Sequence, residues 1–489
     1  MKNSPSWRFA CPKIFLVCLL LPLLVAHLSA KNVILIVADD LSPRLGCYDG
    51  PAITPHLDLL AEEGTLFQHA YSQATLCMPS RASFLTGLEP GDVGTRDNNK
   101  KSHFRGYHPD LLTLPQYLEE KGFVSVGLGK TFHVSDQSSW TEEILERVPA
   151  EEQYAKKENR EILKANQAAG KRGWASVGPL VESADVPDEA YPDGKVTERT
   201  VEKIAELKGQ DFFLMVGFDR PHRPFTAPKQ YWDLYDGRDL DSPVPGVIPE
   251  EVPDLAVKTK RTKALRPGDA RYTRDELQRL GYLASVSYID AQVGKILEAV
   301  RENGIEGETL IIFTADHGFH LGENGQWDKS LLFETSCHVP LIVLDPELPP
   351  SETPLAQMVE LVDLFPTVLD FLGLPAPHDL AGESLLMYVR DPENAVEGAS
   401  FSEALRDERG KNNAGNWDGS IEGKSIRRGN YRLNRWYNTQ TGQLIAVELY
   451  DYSLPIPEER NLSDDPEYQD VRIQLLAELE AKWPMETNL

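Results

Sequence analysis

The sequence has few cysteines and only one long apolar run. Its 489 residues include 5 cysteines, of which two lie within the first thirty residues. The other three are Cys47, Cys77 and Cys337. Their odd number excludes a full disulfide framework and leaves at least one thiol for another role. The apolar run at 14–26 is too short to span a membrane comfortably, so we expect no membrane anchor.

Positive charge is also scarce. The formal net charge is −26, and it becomes −29 without the first thirty residues, which hold three basic and no acidic side chains. A surface this acidic argues against nucleic acid or anionic lipid as a partner. The basic residues, the apolar run and the small residues before position 31 predict a signal peptide over 1–30. We therefore expect a secreted or periplasmic protein, or a lysosomal one if the source is an animal.

Several apolar runs are continuous rather than alternating, which is typical of strands buried on both faces of a parallel sheet. These runs lie at 33–40, 123–133, 211–225, 309–318 and 339–346. Helical patterns separate them at 54–64, 113–122, 195–208, 274–304 and 358–373. The alternation predicts an α/β fold with a large, mixed and mostly parallel sheet flanked by helices.

The pattern changes near residue 413. Short strand-like segments follow, and then a helical segment over 466–482. We therefore predict a catalytic domain over 31–412 and a small C-terminal domain over 413–489, made of an antiparallel sheet and a helix. Two long polar inserts, 134–194 and 236–272, have lengths typical of functional loops.

Acidic side chains follow two of the predicted strands. Asp39 and Asp40 come directly after the first strand, and Asp316 and His317 end the run at 309–318. Either motif alone also fits a solvated turn. Together, three carboxylates at one sheet edge would raise one another's pKa, and a divalent cation resolves that repulsion. Oxygen-rich ligation favours calcium or magnesium over zinc.

The segment "LCMPSRASFLTG" at 76–87 predicts a short helix with a cysteine at its entrance. Pro79 suits a first helical position and Gly87 suits the residue after the end, so we predict a helix over 79–86 with Cys77 just outside it. Free N–H groups at the helix N-terminus and the charge of Arg81 favour an anion at this place. Cys47 and Cys337 lack such neighbours and are predicted to be buried structural thiols.

Further cations follow the remaining strands. Lys130 and His133 lie in "GKTFH", His222 lies in "RPHRP", and Lys329 follows Asp316 by thirteen residues. Each of them alone fits an ordinary surface or capping role. Placed together near Cys77, they form a basic, metal-containing pocket suited to a small tetrahedral oxyanion.

The segment "CMPSRASFLTG" resembles the signature of the sulfatase family, Cys-x-Pro-Ser-Arg followed by Leu-Thr-Gly. The resemblance continues through "VADDL", "GKTFH", "RPHRPF" and "DHGFHLGENGQWDKS". Within the type I, formylglycine-dependent sulfatases, the sequence is most similar to the iduronate-2-sulfatase branch. The resemblance implies an alkaline-phosphatase-like fold.

The resemblance also implies a set of site residues. Cys77 would be converted to formylglycine by a maturation enzyme. Calcium would be held by the modified Cys77 together with Asp39, Asp40, Asp316 and His317. The positions that match the family's sulfate pocket are Arg81, Lys130, His133, His222 and Lys329.

The implied reaction is hydrolysis of a sulfate ester on a sulfated saccharide. The branch suggests exo-acting 2-O-desulfation of an iduronate-type uronic acid from a glycosaminoglycan or an algal polysaccharide. Alternatives are a sulfatase for another sulfated monosaccharide and a phosphodiesterase or phosphonate hydrolase of the same superfamily. An inactive sugar-binding relative would lack Cys77, Arg81 or a metal carboxylate, and the Pro-Ser-Arg after Cys77 argues against an unmodified thiol enzyme.

Overall fold

A computed structural model describes residues 31–145, 148–238, 246–258, 273–351, 353–391, 398–406 and 420–484. The signal peptide predicted over 1–30 lies outside these residues. The strands are β1 (Asn32–Asp39), β2 (Thr65–Tyr71), β3 (Val124–Gly129), β4 (Glu142–Ile144), β5 (Val181–Ala184), β6 (Phe212–Pro221), β7 (Phe225–Pro228), β8 (Thr309–Ala315), β9 (His320–Leu321), β10 (Trp327–Asp328), β11 (His338–Leu344), β12 (Leu355–Glu360), β13 (Ala399–Arg406), β14 (Ile421–Arg428), β15 (Tyr431–Asn438) and β16 (Leu444–Asp451).

Helices alternate with these strands along the chain. They are α1 (Pro55–Glu63), α2 (Cys77–Thr86), α3 (Pro90–Val93), α4 (Leu114–Glu120), α5 (Lys157–Ala168), α6 (Pro192–Leu207), α7 (Lys229–Asp233), α8 (Arg274–Glu302), α9 (Glu334–Cys337), α10 (Leu364–Leu372), α11 (Leu386–Arg390) and α12 (Gln469–Lys482). None of the described helices combines the length and the apolar character needed to cross a membrane.

Eight strands form the main sheet, in the order β12-β2-β11-β8-β1-β6-β3-β4. All neighbouring pairs are parallel except those of β11, which runs antiparallel to β2 and β8. Strand β1 is buried along its whole length, as its continuous apolar sequence predicts. The predicted large, mixed and mostly parallel sheet flanked by helices is confirmed.

The central strands determine where the functional side chains meet. Ala38 of β1 pairs with Ala315 of β8, so the residues that follow both strands emerge side by side. Strand β6 pairs with β1 on the other side. The long helix α8 packs across this region and contributes a continuous buried face to the main core.

A second, four-stranded antiparallel sheet has the order β13-β14-β15-β16. Helix α12 packs against it, with Leu475 and Leu479 buried beside Ile426, Leu433 and Leu449. This confirms the predicted antiparallel sheet and helix. The sheet begins at Ala399, so its first strand lies inside the span 31–412 that the sequence assigns to the catalytic domain.

Two helix boundaries differ from the predictions. Helix α2 begins at Cys77 with Leu76 as its N-cap, so the cysteine is the first helical residue rather than a residue outside the helix. The helical pattern at 358–373 divides into strand β12 and helix α10 (Leu364–Leu372), because pairing with β2 extends the first part of the segment.

Candidate active site

Four acidic, thiol and imidazole side chains meet at the carboxyl ends of β1 and β8. The possible ligand atoms of Asp39, Asp40, Cys77 and His317 all lie within 4.8 Å of one another, and all four residues are buried. Asp39 is the last residue of β1, Asp40 follows it, and His317 comes shortly after the neighbouring strand β8. Cys77 reaches the cluster from the first turn of α2.

The backbone at Asp40 turns sharply to bring two consecutive carboxylates into this cluster. Asp40 has a φ of 68°, in the left-handed region that aspartate tolerates better than most residues. Its N–H donates to Asp316 Oδ1 at 3.1 Å. Its carbonyl accepts from the hydroxyl of Tyr282, on α8, at 2.7 Å. These bonds hold the turn from inside the core.

Cys77 lies at the centre of the contacts. Lys329 Nζ is 2.9 Å from the Cys77 Sγ and also donates to Asp40 Oδ1 at 2.7 Å. The Sγ is 3.4 Å from Asp39 Oδ1 and 3.3 Å from His317 Nε2. The attractions of Lys130 and Lys329 outweigh burial and the charge of Asp39, and they lower the pKa of Cys77. A group at this position is therefore poised between a cation and two candidate metal ligands.

Arg81 links helix α2 to the neighbouring strand ends. Its Nε donates to Asp316 Oδ2 at 2.9 Å, and its Nη1 donates to the carbonyls of Lys130 and Thr131. The side chain is fully buried, and its Nη2 has no hydrogen-bond partner in the described structure. A buried guanidinium nitrogen without a partner is costly unless a ligand accepts from it.

Asp316 is thus engaged mainly in positioning. Its carboxylate binds Arg81 and accepts the N–H groups of Asp40 and His317. It stands beside the four-residue cluster, with Oδ1 3.7 Å from His317 Nε2. The sequence predicted Asp316 as a fifth metal ligand, and that role stays a prediction.

The remaining predicted cations surround the same cluster. Lys130 forms an ion pair with Asp39, and this carboxylate outweighs burial to raise the pKa of Lys130 to about 12. His222 Nε2 is 3.9 Å from Asp40 Oδ2, and its Nδ1 is 2.7 Å from the carbonyl of Arg223. Burial, reinforced by the charge of Lys130, lowers the pKa of His133 to about 3. The structure therefore brings all the predicted site residues into one region.

The loop that carries His222 is fixed by a buried network that the sequence did not predict. Asp193, at the start of α6, accepts the N–H groups of Asp219 and Arg220 at 2.8 and 3.2 Å. The Arg220 guanidinium donates to the carbonyls of His222 and Pro224. Residues of this kind carry no sequence signal, because their role depends on which elements pack together.

The donor set suits a divalent cation. Burial raises the pKa of Asp40 to about 7, against the attraction of Lys329. Burial lowers the pKa of His317, but the charge of Asp316 outweighs it and raises that pKa to about 9. Two carboxylates and an imidazole packed this closely are stabilised by a shared positive charge, and the oxygen donors suit a hard cation. The residues therefore fit a metal ion at this place.

The sequence is similar to that of known proteins along most of the chain. The family model named sulfatase matches residues 31–374. The chain belongs to the sulfatase family. A second model, described as N-sulphoglucosamine sulphohydrolase, C-terminal, matches residues 322–483 of this sulfatase.

Individual relatives agree with the family. Iduronate 2-sulfatase of Homo sapiens is 33% identical over 387 residues, which cover 71% of this sulfatase and 70% of that protein. A protein named Sulfatase from Formosa agariphila is 28% identical over 380 residues, covering 75% and 74% of the two chains.

Solved structures show the same fold at lower identity. The phosphonate monoester hydrolase of Silicibacter pomeroyi matches with a TM-score of 0.71 at 21% identity, covering 94% of this sulfatase and 96% of that chain. BT1596, described as a 2-O GAG sulfatase, matches with a TM-score of 0.64 at 19% identity, covering 93% and 92%. The predicted alkaline-phosphatase-like sulfatase fold is confirmed.

Proposed function

We propose that this sulfatase removes the 2-O-sulfate from an iduronate-type uronic acid at the non-reducing end of a sulfated saccharide. The observation that carries the proposal is the position of Cys77, whose Sγ lies 2.9 Å from Lys329 Nζ and within 3.4 Å of both Asp39 and His317. A nucleophile derived from this residue would sit between a metal site and a cation that faces the sulfate.

The anion would be held by buried donors. Arg81 Nη2 has no partner in the described structure, so it offers N–H groups to a sulfate oxygen. Lys130 and Lys329 add two further positive charges whose side chains are only 13% and 9% exposed. In such a water-poor place these charges act more strongly on the developing charge of the transition state than they would in water.

Asp39, Asp40, Cys77 and His317 would hold calcium, with Asp316 as a further ligand in the proposed set. Bound there, calcium supplies positive charge next to residue 77, and formylglycine at that residue supplies the nucleophile that cysteine lacks. The protein must accordingly meet a formylglycine-generating maturation enzyme, and we propose that the segment 1–30 directs its export.

His133 and His222 would serve in proton transfer and in charge stabilisation during the reaction. Burial and nearby Lys130 lower the pKa of His133 to about 3, so its ring is neutral while the pocket holds no anion. A bound sulfate would offset the charge of Lys130 and raise this pKa, and the ring would then accept a proton as sulfate leaves. Lys329 would neutralise charge on the sulfate and on the departing sugar oxygen. Burial holds the pKa of His222 well below its usual value, so its ring, held by the Arg223 carbonyl, would join Lys329 in this role only after the bound sulfate had favoured its protonation.

The exo mode follows from the charge distribution. A long polyanion laid along a surface requires a track of lysine and arginine, yet this chain carries a formal net charge of −26. The cations at the site are isolated members of strand-end motifs. They fit a closed pocket for one terminal sulfated sugar, with the insert at 134–194 as part of its rim. Of the second insert, 236–272, residues 239–245 and 259–272 lie outside the described structure. The similarity to iduronate 2-sulfatase supports the 2-O position and the uronic acid.

A phosphonate or phosphodiester substrate is the second candidate, favoured by the fold match to a phosphonate monoester hydrolase. The two candidates are separated by digestion of size-defined sulfated oligosaccharides together with a phosphonate monoester. We expect sulfate release from the non-reducing terminal residue alone. Equal release from internal positions would contradict the exo mode, and faster turnover of the phosphonate would contradict sulfatase activity.

A further inference from the structure

Lys329, which faces Cys77 in the proposed sulfate pocket, lies between two residues with an unusual backbone conformation. Asp328 has a φ of 85° and Ser330 has a φ of 69°, in the left-handed region that residues other than glycine rarely adopt. Each such residue costs free energy and persists only where the surrounding structure holds it. Strained backbone of this kind clusters at functional sites, so the conformation of the turn 328–330 calls for a functional reason.

Asp328 fixes the turn from its N-terminal side. Its Oδ1 accepts the N–H of Lys329 at 3.1 Å, and its Oδ2 lies 3.4 Å from Arg223 Nη1. Burial raises the pKa of this carboxyl group, but the charges of Lys258 and Arg223 outweigh it and lower the pKa to about 2, so the carboxylate is ionised. Arg223 directly follows His222, and the ion pair therefore ties the loop of His222 to the turn of Lys329.

Arg406 fixes the turn from its C-terminal side, although it belongs to strand β13 of the second sheet. Its Nη2 donates to the Ser330 carbonyl at 2.5 Å. The arginine is buried, its Nε donates to the carbonyl of Leu255 at 3.2 Å, and its Cζ lies 5.2 Å from the ring centre of Trp436. The N–H of Ser330 donates to the Thr75 carbonyl at 3.0 Å, in the segment just before α2. The second sheet thus supplies one side chain to a turn beside the site.

The turn determines where the ammonium group of Lys329 lies. Its Nζ is 2.9 Å from the Cys77 Sγ and donates to Asp40 Oδ1 at 2.7 Å. A change of backbone angles on either side of the lysine would swing its whole side chain, because a long side chain amplifies a small rotation at its base. A displacement of about 1 Å at a catalytic group can cost about 100-fold in rate.

We propose that Asp328 and Arg406 are positioning residues that hold the turn of Lys329, so that its ammonium group faces residue 77 and the bridging oxygen of the sulfate ester. The inference rests on the proposed function, because it assigns these residues to the support of Lys329 in sulfate ester hydrolysis. Each of them acts through Lys329 rather than on the substrate itself. The second sheet thereby serves the reaction as well as the fold.

The first test uses the matured, calcium-loaded protein and a series of aryl sulfates whose phenols differ in acidity. Asp328→Gly removes the carboxylate, and glycine adopts a positive φ without strain, so this variant should fold. We expect its kcat/KM to fall about 10- to 100-fold, the range for a hydrogen bond to a charged group. The loss should be greatest for the least acidic phenol, whose departing oxygen depends most on the charge of Lys329. Asp328→Asn keeps an acceptor for the Lys329 N–H and tolerates the left-handed region, so it should recover most of the loss.

Double variants show whether the two residues act through Lys329. In a Lys329→Ala background, Asp328→Gly and Arg406→Met should cause no further loss of kcat/KM, because the group that they position is already absent. The affinity for inorganic sulfate, measured by titration calorimetry, should follow the same pattern. It should be weaker in each single variant, and neither change should weaken it further once residue 329 is alanine.

Matched controls are available in the chain. Asp49 is an exposed aspartate with a φ of 55°, directly after a short 3₁₀ turn. Arg435 is a buried arginine of the second sheet that binds Glu480 of α12 at 2.5 Å. Asp49→Gly and Arg435→Met should leave kcat/KM and the sulfate affinity as in the parent protein, although Arg435→Met should lower the melting temperature.

The outcomes separate this inference from the proposed function. Further losses in the Lys329→Ala background, or a loss that is equal for all the phenols, would overturn the positioning role while the proposed function stands. Cleavage of aryl sulfates without cleavage of a disaccharide with a terminal 2-O-sulfated iduronate would overturn the proposed function, and the double variants would still decide the roles of Asp328 and Arg406. A parent protein that hydrolyses no sulfate ester would overturn both.

Discussion

Replacing Arg81 by lysine tests whether its guanidinium, which pairs with Asp316, also binds the sulfate. The wild-type side chain uses Nε for Asp316 at 2.9 Å and Nη1 for two backbone carbonyls, and it keeps Nη2 without a partner in the described structure. Lysine can retain the pairing with Asp316, but its single nitrogen cannot also reach an anion on the far side.

The loss can be estimated from the bond that disappears. A hydrogen bond to a charged group contributes about 1.5–3 kcal/mol, and each 1.4 kcal/mol is about a factor of ten in rate. Arg81→Lys should therefore lower kcat/KM for a sulfate ester about 10- to 100-fold. The inhibition constant of inorganic sulfate should rise by a similar factor, because the same nitrogen binds the product.

The assay is steady-state hydrolysis of an aryl sulfate at saturating calcium, with circular dichroism and thermal melting to check the fold. Arg432→Lys is a suitable control, since Arg432, on β15 of the C-terminal sheet, is also buried and is paired with the acidic residue Glu334 of α9. The control should lose stability without loss of kcat/KM. A folded Arg81→Lys protein with kcat/KM within twofold of wild type would refute this role for Arg81.

Three further predictions follow from the same structure. Removing calcium with a chelator should abolish activity and lower the melting temperature, and added calcium should restore both. A ligand present at 100 times its Kd stabilises the folded state by about 2.7 kcal/mol. A melting curve that the chelator leaves unchanged would contradict the calcium site. Glu323 is buried against Arg44 at 2.5 Å, and this pairing outweighs burial to lower its pKa from 4.5 to about 2. It therefore contributes about 3 kcal/mol that is present above pH 4.5 and lost as the pH falls towards 2. Urea unfolding should show Glu323→Gln destabilised at pH 7, with the difference from wild type shrinking below pH 4.5; a difference independent of pH would disprove the assignment. Asp193→Asn should lower both the melting temperature and kcat, because Asp193 fixes the loop that carries His222, and an unchanged kcat would show that the loop holds its position without it.

The positions of the carboxylates in the candidate metal site could be predicted because they depend on a local pattern. Continuous apolar runs identify buried parallel strands, and such strands place the residues after them at one sheet edge. This reasoning located Asp39, Asp40 and the pair Asp316 and His317 at neighbouring strand ends, as the structure shows.

Other features depend on tertiary packing and could not be predicted from the sequence. The helical pattern predicted over 358–373 begins with methionine, valine and glutamate, two of which favour helix, but pairing with β2 makes residues 358–360 the end of strand β12. Tyr282 lies in the middle of α8, and nothing in the helical pattern indicates that its hydroxyl binds Asp40. Strand β13 at Ala399–Arg406 was not predicted as part of the second sheet, because its partner β14 lies beyond the intervening residues 407–419.

The central claim is that residue 77 acts as formylglycine. The most direct measurement is mass spectrometry of the peptide containing residue 77, made on several preparations whose hydrolytic rate for one sulfate ester is measured in parallel. The rate should increase in proportion to the fraction of chains that carry the aldehyde and should extrapolate to zero where Cys77 remains a thiol. Full activity in a preparation whose Cys77 is entirely a free thiol would contradict the account.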